Sequence, residues 1–226
     1  MSTRHQYQGL ALSTITTMAE AVSVSHTLSD PSKMPGFAYS IPARACKVGA
    51  KLLKVVNSVC SKCYALKGRY VFPNVIAAME RRLMALFHPL WVEAMAYQIN
   101  YYAHRERGPK QEYFRWHDSG DLQGIWHLEK IISICLFTPD VKHWLPTREL
   151  TIVREYLQKH GGFPPNLIVR ISAPMIGEPI LGLGGIPVST VGLDTFGFQC
   201  RAGQNGGKCE SCRACWTPVD INYQPH

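Results

Sequence analysis

Apolar and polar positions change period along this chain, and the changes mark its elements. From Pro73, apolar residues recur at Ile76, Met79, Leu83 and Leu86. That is one face of a helix with proline in its first turn, where the missing N–H costs little. Pro89 interrupts the pattern. Trp91, Met95, Gln98 or Ile99, and Tyr102 then mark a second helix, stopped by Gly108-Pro109. Beyond this point short apolar runs alternate with helical ones. "EYFRWH" (112–117), "VKHWLP" (141–146) and "NLIVRIS" (166–172) read as strands. "GIWHLEKIISICLF" (124–137) and "ELTIVREYLQKH" (149–160) between them read as helices, the latter closed by Gly161-Gly162 with Lys159 and His160 in its last turn. "FAYSI" (37–41) is a short strand ahead of these units, and "IPVSTVG" is a candidate strand after them.

Strand–helix–strand spacing of this kind implies right-handed crossovers and a parallel sheet. The expected class is therefore α/β, either a partial (βα) parallel barrel or an open parallel sheet, with a cysteine-rich segment at its C-terminal end. Residues 1–21 are expected as a flexible arm or an edge strand. Residues 22–199 form the core, including a cysteine loop at 46–63, and 200–226 pack on that core. In such folds active groups collect at the carboxyl ends of strands. There the chain places Tyr64, the run His117, Asp118, Ser119, Gly120 and Asp121, then Thr147 with Arg148 and Glu149, and Ser172. Any one of Asp118, Ser119 or Thr147 is equally explained as a helix cap. The set together points to a shared site.

Composition narrows the chemistry. No apolar run is long enough to span a bilayer, and the N-terminus lacks a charged start followed by an apolar stretch, so a cytoplasmic setting is expected. Eight cysteines in that reducing compartment argue for metal or catalysis over disulfides. The formal charge of +8 suits an anionic small molecule or nucleic acid, although part of it would balance thiolates. "GLGG" (182–185) lacks the lysine of a phosphate loop and reads as a turn. Trp116, Trp126 and Trp144 read as packing residues before base-stacking ones.

The cysteines fall into two groups. Cys46, Cys60 and Cys63 are spaced C-x13-C-x2-C, and Cys200, Cys209, Cys212 and Cys215 are spaced C-x8-C-x2-C-x2-C. Cys135 stands apart in an apolar helix. Zinc usually takes two separated pairs, whereas three thiolates within seven residues suit a cubane cluster. The spacing favours a 4Fe-4S cluster at the C-terminal group, with zinc as the alternative. Three thiolates at the N-terminal group would leave one iron open, as catalytic sites require. A zinc site completed by His26 or Asp30, or a cluster closed by one C-terminal cysteine, fits the same residues.

"SKMPGFAYSIPARAC", "VCSKCYALKGRYVFPNV", "YFRWHDSGDLQ", "WLPTRE" and "CESCRACW" resemble the gene product 88 family of bacteriophage proteins, from about residue 22 to 216. The resemblance implies a viral protein acting in a bacterial host cytoplasm and brings no particular activity. A weaker resemblance is to radical S-adenosylmethionine enzymes, whose partial barrel carries three cysteines after its first strand. It implies that Cys46, Cys60 and Cys63 hold a 4Fe-4S cluster that chelates the cofactor, fed by an electron donor. It also implies that Asp118 or Asp121 in "HDSGDL" binds the cofactor's amino group, with Arg148 and Ser172 near its carboxylate and ribose. The chain departs from that pattern: thirteen residues separate the first two cysteines where three are usual, and Lys62 stands where an aromatic residue commonly precedes the last.

Overall fold

A computed structural model describes residues 14–180 and 182–225. Seven strands form one sheet: β1 (Phe37–Tyr39), β2 (Tyr113–Trp116), β3 (Lys142–Thr147), β4 (Leu167–Ser172), β5 (Val188–Val191), β6 (Phe198–Gln199) and β7 (Ile221–Tyr223). All pairings between them are parallel, in the order β1-β2-β3-β4-β5-β7-β6, and the sheet is not closed. Ser29 bridges Ala38 in antiparallel fashion and so covers the free edge of β1.

The consecutive order of the first five strands has a physical consequence. Right-handed crossovers that always step the same way put their helices on one face. The helices are α1 (Met18–Ser25), α2 (Lys47–Leu52), α3 (Pro73–Ala85), α4 (Trp91–His104), α5 (Ile125–Phe137) and α6 (Leu150–His160). On the helical face Trp91, Met95, Leu128, Ile131 and Val153 pack with Phe114, Trp116, Leu145, Val169 and Ile171 of the strands. Alternation along each strand then turns Arg115, Trp144 and Arg170 to the opposite face. That face is covered by the C-terminal segment: the Trp216 indole donates to the Phe114 carbonyl at 3.0 Å and packs against Tyr113 and Trp144.

Most expected elements are present within a few residues. Pro73 opens α3, and Gly161 closes α6 in the left-handed region at φ +82°. Ile76 departs from expectation and is largely exposed, while Arg82 is buried, its Nε donating to the Thr27 carbonyl at 2.8 Å. Of the arm expected over 1–21, residues 1–13 lie outside the described residues. From Met18 the chain is helix α1, tied to α4 by Gln98, which donates to Ser25 Oγ at 2.7 Å and the His26 carbonyl at 2.9 Å. The signal for α1 is the capping box Thr17-x-x-Glu20, with reciprocal bonds of 3.2 and 3.0 Å. Thr17→Ala is expected to cost about 1 kcal/mol. Urea unfolding should show it as a lower midpoint at unchanged slope.

Candidate functional site

The loop between β1 and α3 arches over the carboxyl ends of the strands. It is anchored there by Val59 N–H to the Pro174 carbonyl (2.8 Å) and Ile176 N–H to the Asn57 carbonyl (2.9 Å). Within it, Cys46 precedes α2, and Cys60 and Cys63 border short 3-10 turns. Glu149, just past β3, accepts the Lys47 and Val48 N–H groups at 3.1 and 2.8 Å, so a carboxylate caps α2 beside Cys46. A Cβ placed on Gly49 would stand 3.0 Å from Cys46 Cβ, with Cys60 Sγ and Cys46 Sγ at 3.6 and 3.7 Å, so glycine lets the start of α2 pack closely on the two cysteines. Burial pushes the Cys46 thiol far up, and Asp121, Cys63, Cys60 and Glu149 add to the shift. Burial also raises Cys60, with the Arg148 guanidinium opposing.

The turn after β2 holds the expected polar run. Gly120 has φ +90°, and a Cβ there would lie 2.2 Å from Ile41 Cγ1, so only glycine lets the turn cross the end of β1. Asp118 accepts from Ser40 Oγ and, at 2.9 Å, from the Tyr70 hydroxyl, while the Tyr64 hydroxyl donates to the Asp118 carbonyl. Asp121 accepts from Leu122 N–H (2.8 Å), the Thr147 hydroxyl (2.5 Å) and Arg148 N–H (2.9 Å). Burial nonetheless raises its pKa to about 6. Thr147 Oγ1 also accepts Glu149 N–H at 3.0 Å, and the Arg148 Nε donates to the Ala173 carbonyl at 3.3 Å. Ser189 Oγ meets Ser172 Oγ at 3.3 Å.

His117 and Ser119 differ from these: among the described residues their side chains have no hydrogen-bond partner. His117 has φ +58°, and its ring packs edge-on against His127 of α5, 5.1 Å between centroids. Burial, reinforced by the Arg115 charge, lowers its pKa to about 3, which leaves the imidazole neutral at pH 7.

The C-terminal group surrounds a single hollow. Cys200, Cys209, Cys212 and Cys215 all line one cleft of about 560 Å³, together with Trp216 and Ile221. Cys209 N–H donates to the Lys33 carbonyl and Cys200 N–H to the Asn222 carbonyl, both at 2.9 Å. Cys215 Sγ lies 3.4 Å from the Tyr223 hydroxyl, and burial raises its pKa to about 11. Arg115 stands between the two cysteine groups. Its Nη2 donates to the Tyr64 hydroxyl at 3.3 Å, its guanidinium lies 4.7 Å from the Trp144 ring, and its charge lowers the pKa of both Cys209 and Cys215. Glu149 stood out in the sequence only as a strand-end residue, and Arg115 did not stand out at all. Arg115 alternates with core residues on β2 as a solvent-facing residue would, and only the covering segment gives it a role.

All eight thiols are free, and Cys135 is buried in α5. Among the described residues no three His, Cys, Asp or Glu side chains converge closely enough to hold a single metal ion. The expected ligand sets are thus gathered into two neighbourhoods without being focused on a point. His26 lines a shallow groove with Glu80 and Arg81 on the α1–α3 side. No described helix is long and apolar enough to cross a membrane.

No curated protein and no solved structure matches the chain. The family model described as gene product 88 matches residues 10–178, which takes in Cys46, Cys60, Cys63 and the polar run from His117 to Arg148 but ends before Cys200. Matched over most of its length, the chain belongs to the gene product 88 family.

Proposed function

We propose that this is an iron–sulfur protein. In this reading Cys46, Cys60 and Cys63 hold a 4Fe-4S cluster at the strand ends, and Cys200, Cys209, Cys212 and Cys215 hold a second. The observation that carries the reading is the arrangement of the C-terminal four around one cleft of about 560 Å³. Zinc draws its sulfurs to about 2.3 Å of a point, whereas thiols spread around a hollow suit a larger inorganic object. When bound, a cluster with three protein thiolates supplies an open iron and one-electron reduction, the chemistry that cleaves S-adenosylmethionine in radical enzymes.

The chain's own residues have definable parts in this scheme. Arg148 offsets negative charge beside Cys60. Arg115 does the same for Cys209 and Cys215 and holds the Tyr64 hydroxyl at the trio's edge. Ser119 Oγ and the His117 ring nitrogens are buried without partners, and so are available to a bound polar ligand. Asp118, with two hydroxyls on its carboxylate, is the residue placed to accept a cofactor amino group. A nucleotide or nucleic acid is the substrate class we propose.

A second reading, a non-catalytic cluster or zinc protein that binds a partner, is favoured by one observation. Asp121, expected in catalysis, and Thr147, expected at the cofactor, are committed to holding β2 and β3 together. The discriminating experiment is electron paramagnetic resonance of anaerobically purified, reduced protein, with and without S-adenosylmethionine. The catalytic reading expects a cluster signal that shifts on adding the cofactor, and 5′-deoxyadenosine as product. Both should disappear on Cys60→Ser while the signal of the C-terminal cluster persists. A signal indifferent to the cofactor, with no product, supports the second reading.

A further inference from the structure

The chain's formal charge of +8 is not spread over its surface. Residues 31–79 contain eight lysines and arginines and no aspartate or glutamate, and the rest of the chain carries sixteen residues of each sign. The entire excess therefore sits in the cysteine loop and the segments that flank it. Lys51, Lys54, Lys62, Lys67 and Arg69 are exposed on this loop and make no ion pair among the described residues. Interleaved with them are exposed apolar and aromatic side chains: Phe72 is 52% exposed, Tyr64 40% and Val56 80%. A surface kept for solubility alone has no need of uncompensated charge in one place, or of aromatic rings beside it.

From this we infer that the basic rim of the cysteine loop is a docking surface for single-stranded nucleic acid. Clustered cations tracking a phosphate backbone, with aromatic faces on which bases stack, are how proteins hold single strands. The shape of the rim argues against duplex. Reading a major groove takes a helix or a two-stranded ribbon, and this surface consists of six-residue α2 and short 3-10 turns. The loop is also held in place, tied to the segment after β4 by the Val59 and Ile176 bonds and to the turn after β2 by Tyr64. A strand lying on it would therefore pass the mouth of the N-terminal cysteine site. The inference deepens the proposed function by naming the partner and its path, and it rests on that reading only for the reaction. The binding itself requires no metal.

The test is fluorescence anisotropy of labelled mixed-sequence oligonucleotides, about 20 nucleotides long, as DNA, as RNA and as duplex, on full-length protein whose iron content is measured in parallel. Single strands should bind, with log Kd linear in log salt. The quadruple variant K51E/K54E/K67E/R69E should weaken binding about a hundredfold or more at ~0.1 M salt and flatten the slope by about 0.7 for each phosphate no longer neutralised. Phe72→Ala should weaken binding about tenfold, as one base loses its stacking platform. The control R107E/K110E, on an exposed segment outside the rim, should leave binding unchanged. Thermal melting checks that each variant is folded, and whichever sugar binds tighter identifies the natural strand. The inference is overturned by an absence of binding at low salt, or by a control that weakens binding as much as the quadruple variant. Tighter binding of duplex, of an acidic protein or of anionic vesicles, with Phe72→Ala silent, also overturns it. Failure here with iron present leaves the cluster reading standing, and binding without iron does the reverse.

Discussion

Acid should unfold this protein with a midpoint above pH 4. Three buried histidines cause it. Burial lowers His117 and His143 to a pKa of about 3 and His127 well below 6.5, the lowering at His117 aided by Arg115 and at His127 by His117 and Lys130. A group whose folded pKa is depressed contributes stability above its unfolded value and loses it as pH falls toward the folded one. Here that window runs from 6.5 down to about 3. At pH 4 His117 and His143 have each lost about 3 kcal/mol, at 1.36 kcal/mol per unit, and His127 loses stability in the same direction. Asp121 acts in the opposite sense. Its pKa is raised to about 6 from 3.8, so its contribution is full below 3.8 and lost as pH rises through 6. It returns about 3 kcal/mol on acidification and cancels roughly one histidine. A net loss of about 3 kcal/mol, to which His127 adds, is a large part of a domain's stability. Circular dichroism against pH should show the transition, and His117→Gln should move its midpoint downward. A protein that stays folded with an unchanged melting temperature at pH 3.5 contradicts the packing described around these rings.

The second large effect is expected at Arg170. This arginine is fully buried on β4, and its guanidinium donates to the carbonyls of Val219, Val188 (3.4 Å), Thr217 (2.9 Å) and Cys215 (3.4 Å). It is the principal polar tie between the sheet and the C-terminal cysteine segment. Burial lowers its pKa, and the nearby Tyr223, Cys215 and Asp220 oppose that shift. Arg170→Ala leaves the buried Val188 carbonyl and three part-buried ones without this donor and opens a cavity under the segment, which should cost about 3 kcal/mol. Arg170→Met restores volume without donors and should recover little of it. The damage should be local: hydrogen exchange should accelerate over residues 200–220, and metal should leave the C-terminal cysteines before the N-terminal trio. Uniform destabilisation, with exchange in that segment unchanged, would show that Arg170 merely fills space.

How much of this was visible in the chain depends on the range of the interactions. Strands β1 to β5 and helices α3 to α6 follow from local periodicity and from Pro73 and Gly161, so the α/β class and parallel sheet were legible. So was the collection of polar residues at strand ends, because topology alone places it. The openness of the sheet was not, since β6 and β7 are two and three residues long and carry no period. The insertion of β7 between β5 and β6 is a long-range event, fixed in part by Asn222, which joins Thr190 Oγ1 at 3.0 Å and the Gln199 side chain at 2.8 Å. The opposite face of the sheet misled for a similar reason. Arg115 and Arg170 alternate with apolar residues as exposed positions do, and nothing local says that a distant segment covers them. Trp116 and Trp144 are buried, as their burial preference suggested. The cysteine groupings were legible from spacing. Their neighbours Glu149, Gly49 and Arg115 were not, because what matters about them is where the fold brings them.

The central claim is that two sets of thiols, three and four, hold inorganic clusters. Iron and acid-labile sulfide per chain, measured on protein purified without oxygen, test it most directly. The account predicts iron and sulfide in equal amounts, about four of each per cysteine group, falling by half when Cys46, Cys60 and Cys63 are replaced by serine. Zinc without sulfide, or no metal at all, would contradict it.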